Sequence, residues 1–401
     1  MTLAENIVDA IAFARSLGDV CLAVAIVGCI FTLVASACVL SFPDNAFSAA
    51  AVEPPVTVLK PLHEAEPGLP TRLLAFCRQN YRGSIQVLCG AQNRVSRAVA
   101  DVSAIAVDLR AIDVSTPEAI VELVVDPRTH GVNRKVSNLI NIMPRARHDT
   151  LVLSDSDIVV GPDYLRAVTA MLSEAGVGAV TCLYHGIGGE GLWTRLSALA
   201  INSQFLPQAI TAVSLGLAQP CCGATIALRR SILDRIGGFG ALADTLADDH
   251  AIGLAVRAEG YDVVTAPFLV GHRCFETSLH QLVRQQIRVA RTIKSIYPLA
   301  YACTVITHPW PLALIGLLLG SPAAAPVVVA ALLSRVTLCG CIEWRFDLPR
   351  QNYWLLPFQD MIAFAIFVTS FFGATVHWRG ADFRVSADGT LLEGPDLRGS
   401  S

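Results

Sequence analysis

Two aspartates separated by one residue, Asp155 and Asp157, are the first candidates for chemistry in this sequence. They follow the apolar run 150–153, which predicts a buried strand that ends where the acidic residues begin. Two carboxylates in such a loop can both reach a divalent cation, and hard oxygen ligands suit Mg²⁺ or Mn²⁺. A cation held there would neutralise a departing diphosphate. Taken alone, the pair is better explained by a polar turn at a strand end, because such pairs are common.

A second cluster surrounds a predicted helix start at Asn133. The helix start offers backbone N–H groups, and the basic residues Arg134 and Lys135 can bind phosphate. A capped and solvated helix start is the structural alternative, and these residues alone do not separate the two interpretations.

The third cluster, Asp248, Asp249 and His250, opens another predicted helix. Asp248 is placed to be its N-cap, which is a structural role. Asp249 is then free to act as a general base towards an acceptor hydroxyl, and His250 is a second candidate for that role. Capping alone would also explain the whole cluster.

Three arginines, Arg284, Arg288 and Arg291, recur at helical spacing and share one face of a predicted helix, with Gln285 beside them. This face fits a basic helix that touches lipid headgroups. It also fits a set of arginines that hold a diphosphate. A merely solvated face is the third interpretation, and spacing does not distinguish among them.

These clusters need elements that position them. Apolar runs and helical spacing predict strands at 56–59, 84–89, 119–125 and 150–153, and helices at 71–79, 95–106 and 133–142. Strands that alternate with helices predict an α/β fold with a mostly parallel sheet flanked by helices. Such a sheet binds its ligands at the carboxyl ends of the strands.

Composition predicts membrane segments on both sides of this domain. With 53% hydrophobic and 16% charged residues, the chain is too apolar for a wholly soluble enzyme. The uncharged stretch 20–42 is long enough to cross a hydrocarbon core of about 30 Å. We therefore predict an N-terminal membrane anchor at 1–51, a catalytic domain at 52–295, a C-terminal membrane region at 296–376 and a tail at 377–401. The balance of 30 basic and 33 acidic residues predicts no nucleic-acid partner.

The order of these features resembles the GT-A glycosyltransferases of the family that contains the ceramide glucosyltransferases. The chain is most similar to its bacterial hopanoid-biosynthesis branch. The resemblance covers about residues 54–300. The matching stretches are 133–139, 151–158, 218–230, 236–239, 246–249 and 290–293.

The resemblance implies an inverting transfer from a UDP-sugar with a divalent cation, Mg²⁺ or Mn²⁺. It implies that Asp249 is the catalytic base and that Asp155 and Asp157 bind the metal. The implied donor-binding residues are Lys60, Asn93, Asn133, Lys135 and Asp155. The implied diphosphate or acceptor motif contains Gln285, Arg288 and Arg291.

The sequence departs from the family pattern at two places. The family usually has an aspartate after the second strand, but residues 91–94 of this chain contain no carboxylate. Asn93 is then the residue that could hydrogen-bond a uracil or ribose. The tryptophan of the family's C-terminal motif is Val289, which removes an aromatic platform near the acceptor.

For the hopanoid branch the implied donor is UDP-N-acetylglucosamine and the implied acceptor a bacteriohopanetetrol-type lipid polyol. A ceramide or other lipid glucosyltransferase that uses UDP-glucose stays open. So does a catalytically weak descendant that binds lipid. A processive polysaccharide synthase of the same fold would need a longer transmembrane channel.

The implied location is the bacterial inner membrane, with several crossings and the catalytic domain in the cytoplasm, where UDP-sugars are made. The basic residues of the domain and tail agree with this orientation. For the tail to share that side, one of the apolar segments near 299–319, 323–341 and 361–376 should be re-entrant or interfacial.

Overall fold

The computed structural model describes residues 3–44, 52–62, 66–111, 119–373, 375–378, 381–386 and 390–393. Within these ranges the chain forms an eight-stranded sheet with helices on its faces, a set of long apolar helices and a small three-stranded sheet. The candidate site lies at one edge of the large sheet.

The strands, in chain order, are β1 (Val56–Pro61), β2 (Ile85–Ala91), β3 (Ala119–Val125), β4 (Thr150–Leu153), β5 (Ile158–Val159), β6 (Val177–Ile187), β7 (Ile226–Arg229), β8 (Asp262–Arg273), β9 (Thr375–Trp378), β10 (Ala381–Val385) and β11 (Leu391–Glu393). The α-helices up to residue 296 are α1 (Leu3–Leu40), α2 (Leu69–Cys77), α3 (Arg97–Ala111), α4 (Arg134–Ile142), α5 (Tyr164–Leu172), α6 (Leu192–Ala200), α7 (Leu206–Ser214), α8 (Arg230–Arg235), α9 (Asp248–Ala258) and α10 (Leu279–Ile296). They are followed by α11 (Pro298–Cys303), α12 (Pro309–Leu318), α13 (Ala324–Phe346) and α14 (Leu356–Ser370).

The strand order of the large sheet is β3-β2-β1-β4-β7-β6-β8-β5. Strands β3, β2, β1 and β4 run parallel, and so do β6 and β8, while β7 and β5 are antiparallel to their neighbours. This confirms the predicted α/β fold with a mostly parallel sheet. The carboxyl ends of β1, β2 and β4 therefore meet at one edge, which is where such sheets bind ligands.

Successive side chains along each strand point to opposite faces of the sheet, and an apolar cluster covers each face. Val58 and Val152 point into one apolar cluster, and Leu59 and Leu153 point into the other. All residues of β1 and β2 are buried, as expected for strands covered on both faces.

The long N-terminal helix α1 begins at Leu3 and contains most of the predicted span at 20–42. Its last turns do not lie free: Ala35 and Val39 share an apolar cluster with Leu206 of α7 and Leu338 of α13. Hydrophobic contact therefore holds α1 against both the catalytic domain and the C-terminal helices.

Three helical segments are long and apolar enough to cross a membrane: Asn6–Leu40, Ala324–Phe346 and Tyr353–Ser370. A further pair, Pro298–Thr307 and Pro309–Leu318, is bent by 68°, as a broken span or a re-entrant loop would be. Pro309 and Pro311 follow the bend, and proline cannot continue a helix from the preceding turn.

A buried ion pair ties two of the apolar helices together. Arg335 of α13 donates to both oxygens of Asp360 in α14, at 2.9 and 2.7 Å. The same guanidinium donates to the carbonyl of Ser203, in the π-helical turn Ile201–Phe205 of the catalytic domain, at 2.7 Å. The pair therefore also fastens the helices to the domain.

The predicted tail at 377–401 contains much of the three-stranded sheet β9–β11. Val376 and Phe383 of this sheet pack against Val132 and Leu246, which lie directly before two of the predicted site clusters. Residues 394–401 of the predicted tail lie outside the described residues.

Candidate active site

A buried lysine near the end of β1, Lys60, holds the loop after β4 in place. The ammonium of Lys60 donates to the Ser154 hydroxyl at 3.0 Å and to the Asp155 carbonyl at 2.8 Å. It also lies 3.7 Å from the ring centre of Phe76. Burial lowers the pKa of Lys60 to about 7, against the attraction of Asp157 and Asp155. Its contacts make Lys60 a support of the aspartate loop.

Asp157 is held by one neighbour and keeps one oxygen unused. Its Oδ2 lies 3.2 Å from Nε2 of His272 on β8. Burial opposes ionisation of the carboxyl, but His272 outweighs it and lowers the pKa of Asp157. The other oxygen, Oδ1, is buried and lacks a hydrogen-bond partner among the described residues.

Lys135 joins the loop after β4 to the start of α9. Its ammonium lies 2.9 Å from Oδ1 of Asp155 and 3.1 Å from Oδ2 of Asp248. Although burial disfavours the charged form, the carboxylates of Asp155, Asp248 and Asp249 raise the pKa of Lys135. Lys135 is therefore a fixed positive charge between two acidic clusters.

Asn133 is the N-cap of α4, as its position before the helix predicts. Its side-chain oxygen accepts from the backbone N–H groups of Lys135 and Val136 at 2.9 and 3.1 Å. Its amide nitrogen donates to the Thr245 carbonyl at 2.6 Å and to Asp248 at 3.4 Å. Asn133 thus both caps α4 and fixes the segment that leads into α9.

The prediction that Asp248 caps α9 is wrong. The N-cap position belongs to Ala247, without a side-chain cap, and α9 begins at Asp248 itself. The carboxylate of Asp248 is drawn instead to the charge of Lys135, and a charged partner outweighs a backbone N–H.

Both oxygens of Asp249 are oriented by backbone groups. Oδ2 accepts from the N–H of Gly223 at 3.0 Å, and Oδ1 accepts from the N–H of His250 at 2.8 Å. The side chain is only half-buried. Asp249 is thus a fixed, accessible carboxylate, which is what a general base requires.

Gly223 is the point at which these groups meet. A Cβ atom on Gly223 would lie 3.0 Å from Oδ2 of Asp155, 3.1 Å from Nζ of Lys135 and 3.6 Å from Oδ2 of Asp249. Residues from three distant parts of the chain therefore surround the missing side chain. The stretch 218–230 belongs to the matching stretches, but its pattern assigns Gly223 no role.

Helix α10 presents one of its predicted residues to this centre. Arg288 donates to Oε1 of Gln285 at 3.4 and 3.2 Å. Burial lowers the pKa of Arg288, against the attraction of Asp249, Tyr184 and Asp248. The nearby carboxylates therefore favour the charged form of Arg288, although burial opposes it.

Arg291 is not brought to the centre. It donates to the carbonyls of Phe372 at 3.0 Å and Thr375 at 2.5 Å, at the start of the C-terminal sheet. Positions three apart on an α-helix differ by only about 60° in direction, so Arg288 and Arg291 lie on nearly the same face of α10. The two hydrogen bonds of Arg291 hold it at the C-terminal sheet instead of at the acidic centre.

Two adjacent amide side chains follow β2, Gln92 and the predicted Asn93, and they differ in burial. Asn93 is exposed, and its side-chain oxygen accepts from the N–H of Val95 at 3.0 Å, within a local turn. Gln92 is half-buried, and its amide nitrogen lacks a partner among the described residues. Among the described residues at this strand end, Gln92 is therefore the one with a buried amide donor that has no partner.

The residues present fit a cation that arrives with a phosphate. Among the described residues, no group of three histidine, cysteine, aspartate or glutamate side chains forms a metal cage. Mg²⁺ does not need three protein ligands, because it keeps several bound waters and binds through one or two carboxylates together with substrate phosphates. Asp155 and Asp157 supply two carboxylates, and the buried, unpaired Oδ1 of Asp157 is a free ligand atom.

The fold is that of a GT-A-like α/β protein, and comparison with solved structures agrees. The mannosyltransferase PcManGT from Pyrobaculum calidifontis, in complex with GDP-Man and Mn²⁺, is similar with a TM-score of 0.52 and 19% identity. The match covers 90% of this chain and 99% of that one. This likeness establishes the fold.

Residues 20–391 match Glycosyl transferase family 21, so the chain belongs to this family. The chain is also similar to ceramide glucosyltransferase 1 from Caenorhabditis elegans, with 23% identity over 208 residues. That match covers 52% of this chain and 43% of the relative, so the chain spans less than half the length of the relative it matches.

Proposed function

We propose that this protein transfers a sugar from a UDP-sugar to a hydroxyl group of a membrane lipid, with inversion at the anomeric carbon. The observation that carries the proposal is the convergence of Asp155, Lys135 and Asp249 on the space at Gly223. Membership in family 21 supports the class of reaction. The finer assignments below rest on the site residues.

In the proposed reaction, Asp249 accepts the proton of the lipid hydroxyl. The hydroxyl oxygen forms its new bond to the anomeric carbon on the face opposite the UDP, as the bond between that carbon and the diphosphate oxygen breaks. The two backbone N–H groups that hold Asp249 keep its carboxylate in place for this transfer. UDP leaves with the electron pair of the broken bond.

The charge that develops on the diphosphate needs positive partners. Arg288 is the proposed side-chain partner of this charge, because a guanidinium stays protonated in proteins. Asp155 and Asp157 are the proposed ligands of a divalent cation, which would supply electrostatic stabilisation of the leaving group when bound. The solved PcManGT structure, which has a similar fold, contains Mn²⁺.

Donor recognition is proposed for the edge formed by the ends of β1, β2 and β4. Gln92, with its unused amide nitrogen, is the proposed partner of the uracil or ribose, in place of the family's aspartate. Asn133 and Lys60 act indirectly, because their side chains hold the loops that carry Asp155 and Asp248.

A lipid acceptor is supported by the surface beside Asp249. Val289, Ile293 and Tyr297 recur every four residues on one face of α10 and its end, and all three are exposed. Tyr297 lies against His250, with its hydroxyl 3.3 Å from Nε2. An exposed apolar stripe next to the base suits a substrate whose hydrocarbon part stays in the membrane.

The specific proposal is transfer of N-acetylglucosamine from UDP-N-acetylglucosamine to bacteriohopanetetrol. The second candidate, favoured by the ceramide glucosyltransferase relative, is transfer of glucose from UDP-glucose to ceramide. In either case we propose a membrane protein of the bacterial inner membrane, with its catalytic domain in the cytoplasm.

The test is a transfer assay with the full chain in lipid nanodiscs. Each radiolabelled donor, UDP-N-acetylglucosamine or UDP-glucose, is incubated with Mn²⁺ and either bacteriohopanetetrol or ceramide, and the lipid product is identified by mass spectrometry. We expect one glycosylated lipid, with the inverted anomer, that forms only when Mn²⁺ or Mg²⁺ is present. Absence of any glycosylated lipid with all four combinations would overturn the proposal.

A further inference from the structure

A cavity lies on the opposite side of β6 from the candidate active site. Its volume is 420 Å³, and its walls come from the end of β6, from α6 and from the loop at 347–352 that joins α13 to α14. Tyr184 faces the active site, with its ring 5.3 Å from that of His272. The next residue, His185, lines the cavity, because successive side chains of a strand point to opposite faces.

The charge of the cavity is positive. Among the described residues that line it, Arg195 and Arg350 are the charged ones and none is a carboxylate. Arg195 has one hydrogen bond to another described residue, from its Nε to the Gly189 carbonyl at 3.3 Å, which leaves its terminal nitrogens for a ligand. Burial lowers the pKa of His185, so this side chain is a neutral donor or acceptor at pH 7.

The polar groups that remain are of two kinds. Asn202 accepts from the N–H of Gly186 at 2.7 Å and donates to its carbonyl at 3.0 Å, so its side chain is held against β6. Gln351 and Asn352, in the loop, also line the cavity. The cavity thus combines two guanidinium groups with neutral hydrogen-bonding groups.

Its position is set by the two apolar helices that it adjoins. The loop at 347–352 joins the candidate membrane segments Ala324–Phe346 and Tyr353–Ser370. Trp344 and Trp354, on either side of this loop, are 76% and 63% exposed. Exposed tryptophans at the ends of membrane segments are typical of the depth of the lipid headgroups.

We propose that this cavity binds the headgroup of an anionic phospholipid, with Arg195 and Arg350 on its phosphate and with Gln351 and Asn352 near its polar substituent. Guanidinium groups bind phosphate oxygens through paired N–H donors. The site goes beyond the proposed transfer reaction, since it is separate from Asp249 and needs no nucleotide. A diffusible phosphate compound has the same chemistry, and the experiment distinguishes the two sources.

The experiment measures lipid retained by the full chain after purification from nanodiscs of phosphatidylcholine with phosphatidylglycerol. Native mass spectrometry and a titration with phosphatidylglycerol give the bound lipid and its affinity. One basic residue at an anionic lipid surface contributes roughly a factor of five in binding. The double variant Arg195→Gln/Arg350→Gln should therefore bind phosphatidylglycerol about 30-fold more weakly.

The matched control is Arg78→Gln/Arg235→Gln, which removes the same charge from two exposed arginines outside the cavity. It should retain phosphatidylglycerol as the unaltered chain does. The single variant Arg350→Gln, in an exposed loop position, should lose about fivefold and serves if the double variant fails to fold.

Three results would overturn the inference. One is equal phosphatidylglycerol affinity in the cavity variants and the unaltered chain. Another is an equal loss in the control, which would mean that surface charge in general attracts the lipid. The third is displacement of phosphatidylglycerol by an equal concentration of inorganic phosphate or glycerol 3-phosphate, which would assign the cavity to a soluble anion.

Discussion

Replacing Gly223 by alanine perturbs the proposed active site with a single methyl group. Gly223 does not have a left-handed backbone conformation, so alanine fits the main chain. The added Cβ, however, would lie 3.0 Å from Oδ2 of Asp155 and 3.1 Å from Nζ of Lys135. We expect Gly223→Ala to leave the fold intact and to displace the groups proposed to bind the metal and the donor.

The size of the effect follows from these distances. Ordinary contacts of carbon with other heavy atoms begin near 3.5 Å, so each neighbour must withdraw by roughly 0.5 Å. A misplacement of about 1 Å in an active site costs on the order of 100-fold in rate. We therefore predict a fall in kcat of about 10-fold to 100-fold, or about 1.4–2.7 kcal/mol in the activation barrier.

The assay is transfer of radiolabelled sugar from the active donor to the lipid acceptor in nanodiscs, with thermal unfolding measured on the same samples. Gly240→Ala is the matched control, because a Cβ there would meet no atom within 4 Å. The control should keep both kcat and the unfolding temperature. A Gly223→Ala variant with unaltered kcat would refute the assignment of this space to the reaction.

Three further predictions concern other parts of the molecule. Gln92→Ala should raise the KM for the donor about fivefold, because the substitution removes a hydrogen bond of roughly 1 kcal/mol. Asn93→Ala should leave the donor KM unchanged. Equal effects of the two substitutions in steady-state kinetics would contradict the choice of Gln92. Asp157→Asn should raise the Mn²⁺ concentration for half-maximal transfer at least about tenfold, because even the loss of a residue that only supports a metal ligand commonly lowers metal affinity by that factor. An unaltered Mn²⁺ titration would show that Asp157 is not a metal ligand. Arg335→Met should destabilise the chain in detergent by about 3–5 kcal/mol, because it leaves the Asp360 carboxylate buried without its partner. The double variant Arg335→Met/Asp360→Leu should recover part of that loss. Calorimetry that finds the double variant less stable than the single one would argue against this explanation.

Much of the sheet could be predicted because its strands are continuous apolar runs. Strands β3 and β4 have the predicted bounds, and α4 begins at Arg134, one residue after the predicted start of its helix at 133. Apolar runs and capping residues act locally, so they can be recognised in a single sequence. The α/β fold follows from their alternation.

The site could be predicted only as a set of separate clusters. That Lys135 lies between Asp155 and Asp248 depends on how β4 and α9 are placed in space, and local spacing contains no such information. The same competition for Lys135 explains why Asp248 does not cap its helix. Local patterns see a residue and its neighbours, whereas charge pairing depends on the folded chain.

The roles of three other residues depended on details that spacing does not resolve. Gln92 and Asn93 are adjacent, and the structure distinguishes them by burial: Asn93 is exposed in a local turn, whereas Gln92 is half-buried and its amide nitrogen has no partner among the described residues. Arg291 shares the helical spacing of Arg288, but its hydrogen bonds hold it at the C-terminal sheet. That sheet is formed by short strands without a strong apolar pattern, in a segment predicted only as a tail.

The most direct test of the proposed reaction is the Asp249→Asn variant, with transfer and donor binding measured on one preparation. Asparagine keeps the shape and can still accept from the Gly223 and His250 N–H groups, but it cannot take up the proton of the acceptor. We predict that isothermal titration calorimetry finds binding of UDP and Mn²⁺ within about threefold of the unaltered chain, while transfer falls by at least about 1,000-fold. Transfer at the unaltered rate in Asp249→Asn would contradict the assignment of the base, and with it the proposed convergence of these groups on one reaction.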